Sequence, residues 1–152
     1  MFDQNTESIR IKTSTVKPDE EAHINTLFDL TGRTALVTGA SGFLGQSLAR
    51  ALAEAGARVV VSSRKRKKAE EIAELLKGVA QGSHIGIELD HMDETSINAG
   101  FDEILDRVGS LEILVNNGNL ALGMDLTDVT GPEFQKQLGN ATGYFLLSRR
   151  IR

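Results

Sequence analysis

A glycine-rich turn is the part of this sequence whose residue types and spacing point most directly to chemistry. The run Thr38-Gly39-Ala40-Ser41-Gly42-Phe43-Leu44-Gly45 places its glycines three residues apart. Gly39 permits a tight turn, Gly42 removes a Cβ where the backbone must approach a phosphate, and Gly45 lets a helix pack closely. The free N–H groups and positive dipole end of that helix can then bind a pyrophosphate. The turn therefore predicts nucleotide binding, with a bare strand-to-helix turn as the alternative. The residues between the glycines belong to the predicted site: Ser41, Phe43 and Leu44.

Short apolar runs alternate with amphipathic segments along the chain, and these elements must position the turn. Strands are predicted at 34–38, 58–62, 84–89 and 111–115. Each is followed by apolar residues at helical spacing, most clearly in the third helix: Ile97, Phe101, Ile104, Leu105 and Val108. The last helix is predicted to begin at Thr130, which has capping-box spacing to Glu133. Its apolar series is formed by Phe134, Leu138, Ala141 and Phe145.

Four strands in alternation with helices predict an α/β fold with a parallel sheet covered on both faces. Right-handed crossovers give a doubly wound sheet of strand order 3-2-1-4. The glycine turn then joins the first strand to the first helix. Residues 1–27 are polar, mixed in charge and without helical or strand periodicity. We therefore expect a polar arm over 1–27 and one nucleotide-binding domain over 28–152.

Composition excludes several classes of protein. The 152 residues include 17 Lys and Arg against 21 Asp and Glu, a net charge of −4, which argues against nucleic-acid binding over the whole chain. We expect no membrane span, because no apolar run approaches the roughly 18 residues required, and no secretory signal, because the start is polar. The absence of Cys excludes thiolate metal sites and fits a cytoplasmic location. No metal site is expected, and His23 and His84 are interpreted as surface or edge residues.

Three motifs, in order, resemble the short-chain dehydrogenase/reductase family, which are NAD(P)-dependent oxidoreductases of Rossmann fold. Residues 30–39 (LTGRTALVTG) resemble the family's opening strand, 114–118 (LVNNG) its Leu-Val-Asn-Asn-Ala-Gly motif, and 140–145 (NATGYF) its Asn-x-x-Gly stretch. The glycine at position 42, rather than 43, has the spacing of the family's extended members. The resemblance covers about Phe28 to Arg152. It implies hydride transfer between a nicotinamide and the carbon of an alcohol or ketone.

The end of the second strand bears on the choice of cofactor. NAD-selective sites of this fold have a carboxylate there, which accepts hydrogen bonds from the ribose. This chain instead has Ser63 and Arg64, followed by the basic residues 65–68. A hydroxyl and a guanidinium can bind a 2′-phosphate that a carboxylate would repel. We therefore predict NADP, with NAD as the alternative. Lys67 and Lys68 are expected to form a solvated helix start, and a nuclear-localisation signal is a weaker interpretation of the run.

The resemblance also assigns residues after the third and fourth strands. It implies that Asp90 accepts a hydrogen bond from the adenine amino group and that the His91 backbone lines the adenine pocket. An equal alternative is that Asp90 caps the next helix together with Asp93. The family more often has a small aliphatic residue at the position of His91. After the fourth strand, two residues are implied to bind the cofactor: Asn117 and Gly118.

Of the catalytic residues typical of the family, this sequence has a match for one. The chemistry requires a Tyr as general acid/base, a Lys four residues later and an upstream Ser. Asn140 matches the catalytic Asn of that group, with a polar residue at a helix kink as the alternative. Tyr144 is the single Tyr and is followed four residues later by Ser148, so we expect it to be a packing residue.

We therefore predict the cofactor-binding portion of an NADP-dependent oxidoreductase, truncated before its catalytic residues. The alternatives are a non-catalytic module for nucleotide binding or subunit association, and a relic fold without a ligand. Truncation would leave the fourth strand as an open edge and expose Phe145, Leu146 and Leu147 in part. Self-association through that edge and the last helix follows from this exposure.

Overall fold

The computed structural model describes residues 23–78, 84–123 and 125–151, and it contains a four-stranded parallel sheet. The strands run in the spatial order β3-β2-β1-β4. Their bounds are β1 (Thr34–Val37), β2 (Arg58–Ser63), β3 (Ile85–Glu88) and β4 (Ile113–Val115). This strand order confirms the predicted doubly wound α/β fold. The ends of each strand also lie within two residues of the predicted ends.

Five α-helices surround the sheet in the described part of the chain. They are α1 (Ile24–Leu27), α2 (Phe43–Glu54), α3 (Arg66–Leu75), α4 (Glu94–Val108) and α5 (Gly131–Arg150). A 3-10 turn at Leu126–Asp128 precedes α5. The carboxylate of Glu133 accepts hydrogen bonds from the backbone N and Oγ1 of Thr130, at 2.8 and 2.6 Å, so α5 begins where its capping residues predicted. Of the predicted arm, 1–22 lie outside the described residues.

The core has two layers because the side chains of each strand alternate between the faces of the sheet. Val59 and Val61 face α2 and α3, whereas Val60 faces α4 and α5. All three are fully buried. Burial on both faces explains why the strands are continuous apolar runs rather than alternating ones.

Charged side chains close the edge of the sheet at β3. The Arg66 guanidinium of α3 donates two hydrogen bonds, of 2.8 and 2.7 Å, to the carboxylate of Glu103 on α4. Arg107 donates to the same carboxylate and to the carbonyl O of Gly86 on β3. The hydrogen bond from Arg66 is the main reason that the pKa of Glu103 lies below its usual value. Arg66 is therefore engaged in joining α3 and α4 around the edge.

The face of helix α5 that packs on the sheet is not the face that carries the apolar series predicted from the sequence. The side chains of Phe134, Leu138 and Phe145 are 56%, 44% and 64% exposed. The buried positions are Asn140, Gly143 and Leu147. The prediction that Leu147 is partly exposed is wrong: it is fully buried in the core against α4, because it lies on the same helix face as Gly143. Phe145 is exposed as predicted, and Leu146 is half-buried.

His84 has a partner that its sequence position did not indicate. The residue lies directly before β3, and its Nδ1 accepts a hydrogen bond from the backbone N–H of Val59 at 3.0 Å. Partial burial, together with the nearby positive charge of Arg58, lowers the pKa of His84. The neutral imidazole therefore extends the hydrogen bonding between β2 and β3.

We expect the folded state to lose stability as the pH falls below about 6.5, the pKa of histidine in an unfolded chain. The unfolded chain binds a proton at His84 in this range, whereas the folded chain resists it because the imidazole is partly buried and lies near the positive charge of Arg58. Protonation would also remove the acceptor for the N–H of Val59. Above about pH 6.5, His84 is neutral in both states and its contribution to the free energy of unfolding is fully present. Urea unfolding at pH 7.5 and 5.5 measures the loss. In His84→Asn, whose Oδ1 can accept the same bond without titrating, the loss should be smaller; equal losses in both proteins would contradict this assignment.

Candidate functional site

A groove of about 870 Å³ lies at the carboxyl ends of the strands. It is lined by the turn after β1, the end of β2 and the segments after β3 and β4, as expected for a parallel sheet that binds a ligand. All of the predicted cofactor-binding residues line it: Gly39, Ser41, Gly42, Phe43, Leu44, Gly45, Ser63, Arg64, Asp90, His91, Asn117 and Gly118. Five lining residues were not predicted: Lys65, Lys68, Met92, Asn119 and Leu120.

Two glycines of the turn are required by the protein itself. Gly39 has φ +62°, and a Cβ there would lie 2.6 Å from the Cα of Gly118. A Cβ at Gly45 would lie 2.7 Å from the Cα of Ala40 and from Nδ2 of Asn117. The tight turn at Gly39 and the close packing at Gly45 are thereby confirmed.

Gly42 differs from these two, because the protein leaves room for a side chain there. A Cβ would meet only the carbonyl O of Gly39, at an ordinary 3.7 Å. Gly42 is the N-cap of α2, and the first hydrogen bond within the helix runs from the N of Gln46 to the O of Gly42. The N–H groups of Phe43, Leu44 and Gly45 therefore have no partner within α2. With no acidic residue in its first turn, this helix end presents its positive dipole to the groove.

Thr38 fixes the floor of the groove, although it was not among the predicted site residues. It is 1% exposed, and its Oγ1 donates to the O of Val115 at 3.1 Å. The same oxygen accepts from the backbone N–H groups of Asn117 and Gly118, both at 2.9 Å. Nδ2 of Asn117 donates in return to the carbonyls of Thr38 and Gly39. The sequence signal for this role is the position of Thr38 at the strand end, before Gly39.

The hydrogen bonds in the segment after β3 exclude one of the two predicted roles of Asp90. The carboxylate of Asp93 accepts from the N–H of Thr95 and caps α4. Asp90 instead accepts from the N–H of Met92 at 2.9 Å, which closes a turn, and it lines the groove. Capping of α4 by Asp90 is therefore wrong, and its contact with adenine stays a prediction.

His91 connects two walls of the groove through α5. Its ring is 9% exposed, and Nε2 lies 2.8 Å from Oδ1 of Asn140. That oxygen also accepts from the N–H of Leu120, while Nδ2 of Asn140 donates to the O of Leu120, so His91 must carry its proton on Nε2. The ring stacks on Tyr144 at 5.9 Å between centroids. Oη of Tyr144 donates to the O of Gly118 at 2.6 Å, which supports its role as a packing residue.

Asn140 itself does not line the groove. It is 6% exposed, and its amide is fully engaged with His91, Leu120 and Gln137. The structure therefore places Asn140 behind the wall formed by the loop after β4, where it holds the loop in position.

Positive side chains gather where β2 ends. Arg64, Lys65 and Lys68 line the groove there, beside the nearly buried Ser63, whose Oγ accepts from the N–H of Lys65. Lys68 is exposed in the first turn of α3, as expected of a solvated helix start, and it also lines the groove. Among the lining residues that the structure describes, Asp90 is the one carboxylate.

Within 23–78, 84–123 and 125–151, there is no group of three or more His, Cys, Asp or Glu side chains placed to hold a metal ion. No helix in these same segments has both the length and the apolar character needed to cross a membrane.

Comparisons with known proteins agree with this geometry. A family model described as short chain dehydrogenase matches residues 33–151. The D-threitol dehydrogenase of Mycolicibacterium smegmatis is 31% identical over 133 residues, 87% of this chain and 51% of that protein. A short-chain type dehydrogenase/reductase from Mycobacterium marinum superposes with a TM-score of 0.72 at 33% identity, covering 82% of this chain and 49% of the other.

A gluconate 5-dehydrogenase from Burkholderia cenocepacia, solved in complex with NADP and tartrate, has a TM-score of 0.72 at 30% identity, covering 85% of this chain and 51% of the other. The chain spans about half the length of these relatives. The family model covers most of the chain, and the solved structures named above share its fold. The resemblance in the sequence is thus confirmed: the chain belongs to the short-chain dehydrogenase family of oxidoreductases.

Proposed function

We propose that the groove binds NADP and that the 152 residues form the cofactor-binding portion of an NADP-dependent oxidoreductase acting on an alcohol or ketone. The observation that carries the proposal is the end of β2, where Ser63 and Arg64 line the groove and the residues from 58 to 69 include no Asp or Glu. A 2′-phosphate needs a cation and hydrogen-bond donors at this point, whereas a carboxylate there selects NAD.

The groove offers one site for the pyrophosphate of a dinucleotide and a second site for the 2′-phosphate, which NADP carries and NAD lacks. The space above Gly42 and the free N–H groups at the start of α2 form a cradle for the pyrophosphate. The cations after β2 form the second site. The Burkholderia gluconate 5-dehydrogenase, which resembles this chain, was solved with NADP. NAD remains the alternative cofactor.

A nicotinamide cofactor held by the residues of this groove would donate a hydride to a ketone in its reduced form, or accept one from an alcohol in its oxidised form. Asn140 acts as a positioning residue, because it holds Leu120 and His91 rather than reaching the groove. Tyr144 is engaged with the O of Gly118 and stacked on His91, so it is not available as a general acid. We propose that proton transfer and substrate recognition require the half of the family domain to which this chain has no counterpart. A cytoplasmic location is part of the same proposal.

Arg64→Asp is expected to reverse the preference for cofactor. A charge-assisted hydrogen bond contributes about 2 kcal/mol, so the variant should bind NADP roughly 30-fold more weakly and NAD no worse than before. Calorimetric titration of the 152-residue chain with each nucleotide measures this. Lys67→Asp is the matched control, since it makes the same charge change on an exposed residue that does not line the groove. A wild-type preference for NAD, or equal effects of the two variants, would refute the proposal.

A second candidate function is subunit association without catalysis. It is favoured by the apolar side chains exposed on α5 and by Oδ1 of Asn116, which is buried after β4 without a partner among the described residues. β4 is also an edge strand of the sheet described here. A chain that binds neither nucleotide but sediments as a dimer would support this function in place of the first.

A further inference from the structure

The imidazole of His91 is held on three sides. A Cβ at Gly118 would lie 3.0 Å from Nδ1 of His91, and a Cβ at Gly143 would lie 3.3 Å from Cδ2, so the ring packs against the backbone of both glycines. The ring of Tyr144 stacks on it with an interplanar angle of 16°. Backbone does not yield as the end of a flexible side chain does, so the ring cannot turn without displacing α5 or the loop after β4. The direction of Nε2 is therefore fixed.

Nε2 of His91 begins a chain of hydrogen bonds that ends on the backbone of Leu120. It donates to Oδ1 of Asn140 at 2.8 Å, and the same oxygen accepts from the N–H of Leu120, also at 2.8 Å. Nδ2 of Asn140 donates to the carbonyl O of Leu120 at 3.2 Å. One amide thus binds both backbone polar groups of Leu120, and His91 orients that amide. Because Asn140 is buried, a lost donor is not readily replaced by water.

A second connection runs from the same ring to Gly118. Tyr144, which stacks on His91, donates from Oη to the carbonyl O of Gly118 at 2.6 Å. Gly118 and Leu120 flank Asn119, and all three residues line the groove. The wall formed by 118–120 is therefore held at both ends by groups that contact one imidazole.

This wall lies at the end of the groove away from the cations. In the sheet order β3-β2-β1-β4, the cations follow β2, the proposed pyrophosphate cradle follows β1, and the wall follows β4. A dinucleotide with its 2′-phosphate at β2 and its pyrophosphate at β1 extends its nicotinamide and second ribose toward β4. His91 follows β3, at one edge of the sheet, yet its side chain supports the wall at the other edge.

We propose that His91 is a positioning residue for the nicotinamide half of the cofactor: through Asn140 and Tyr144 it holds the wall 118–120 where the nicotinamide and its ribose bind. The inference rests on the proposed function, because it takes NADP as the ligand. It assigns to His91 no contact with the nicotinamide and no step of the chemistry. An apolar side chain in its place would leave Oδ1 of Asn140 with the N–H of Leu120 alone, and bonds within a buried network reinforce one another.

The test measures how much the nicotinamide half adds to binding by the 152-residue chain. Calorimetric titration compares NADP with 2′-phospho-ADP-ribose, a fragment that has the same adenine half and pyrophosphate but no nicotinamide. The wild type should bind NADP about tenfold more tightly than the fragment. His91→Phe keeps a ring to stack on Tyr144 but loses the donor to Asn140. It should weaken NADP about tenfold and leave the fragment within about twofold.

Two further variants separate the hydrogen bond from general packing. His91→Gln can place an amide N–H where Nε2 lies, so its affinity for NADP should return to within about threefold of the wild type. Thr142→Ala, on the exposed face of α5, is the matched control and should change neither affinity. Amide hydrogen exchange at Leu120 should be fast in His91→Phe and slow in the other two variants, and circular dichroism verifies folding.

The outcomes separate this inference from the proposed function. If His91→Phe weakens NADP and the fragment equally, His91 acts on the whole groove, and the inference is overturned while the proposed function stands. If His91→Gln binds NADP as weakly as His91→Phe, the hydrogen bond to Asn140 is not the cause, and the inference is again wrong. A wild type that prefers NADP to NAD but binds NADP and the fragment equally would also overturn the inference alone. A wild type that binds neither NADP nor the fragment would overturn both.

Discussion

Replacement of Gly143 by alanine should destabilise the folded chain by about 2–3 kcal/mol and release α5 from the sheet. A Cβ at this position would lie 2.0 Å from the carbonyl O of His91 and 3.0 Å from its carbonyl C. Both are backbone atoms, so the helix or the segment after β3 must move. The loss exceeds the gain of about 1 kcal/mol that alanine brings to a helix interior. Urea unfolding gives the free energy.

Gly139→Ala is the matched control, because it makes the same change one turn earlier in the same helix. The added Cβ would meet Cε of Met92 at 2.5 Å, which is the far end of a flexible side chain. We expect its stability to change by less than about 1 kcal/mol in either direction, since helix propensity offsets the displacement of Met92. Equal losses for Gly139→Ala and Gly143→Ala would show that close backbone approach is not the cause.

Thr38→Val should cost about 2–3 kcal/mol of folding free energy and also weaken nucleotide binding. Valine matches threonine in shape but removes the oxygen that accepts from the N–H groups of Asn117 and Gly118. The N–H of Asn117 keeps a second acceptor in the O of Val115, so the buried N–H of Gly118 carries most of the penalty. Because Gly118 lies against Gly39, the loop that forms this wall should loosen as well. Urea unfolding and calorimetric titration with NADP measure the two effects.

Thr38→Ser separates the hydroxyl from the methyl group. Serine retains the oxygen and loses one buried methyl, so it should cost about 1 kcal/mol. Amide hydrogen exchange at Gly118 should stay slow in Thr38→Ser and become fast in Thr38→Val. If serine destabilises as much as valine, packing rather than the shared hydrogen bonds holds the floor of the groove.

The sheet and the groove were predictable because their determinants are local. A buried strand is an apolar run, and parallel strands joined by helices place the ends of all strands at one edge. The residues after each strand therefore meet, whatever their distance in sequence. That rule brought Gly39, Ser63, Asp90 and Asn117 to one groove.

The packing face of α5 was not predictable from its apolar spacing. The series Phe134, Leu138 and Phe145 is exposed, whereas the face with Asn140 and Gly143 is buried. Close backbone approach at Gly143 and the hydrogen bonds of Asn140 determine this face. Gly143 meets the backbone of His91, and Asn140 forms hydrogen bonds with both His91 and Leu120. These partners lie outside the helix, so the spacing of apolar residues within it does not indicate the buried face.

The fold class, the family and the residues that line the groove follow from the amino-acid sequence, because periodicity and position at the end of a strand are local properties of the chain. The partner of each polar group depends on how the helices pack: Arg66 pairs with Glu103, and His91 with Asn140. The same holds for Thr38, whose Oγ1 accepts hydrogen bonds from two N–H groups in the segment that follows the neighbouring strand β4. The physical reason is that hydrogen bonds and charge pairs are directional and short-ranged. These hydrogen bonds and charge pairs form only when the helices pack on the sheet, and local sequence patterns do not specify that packing.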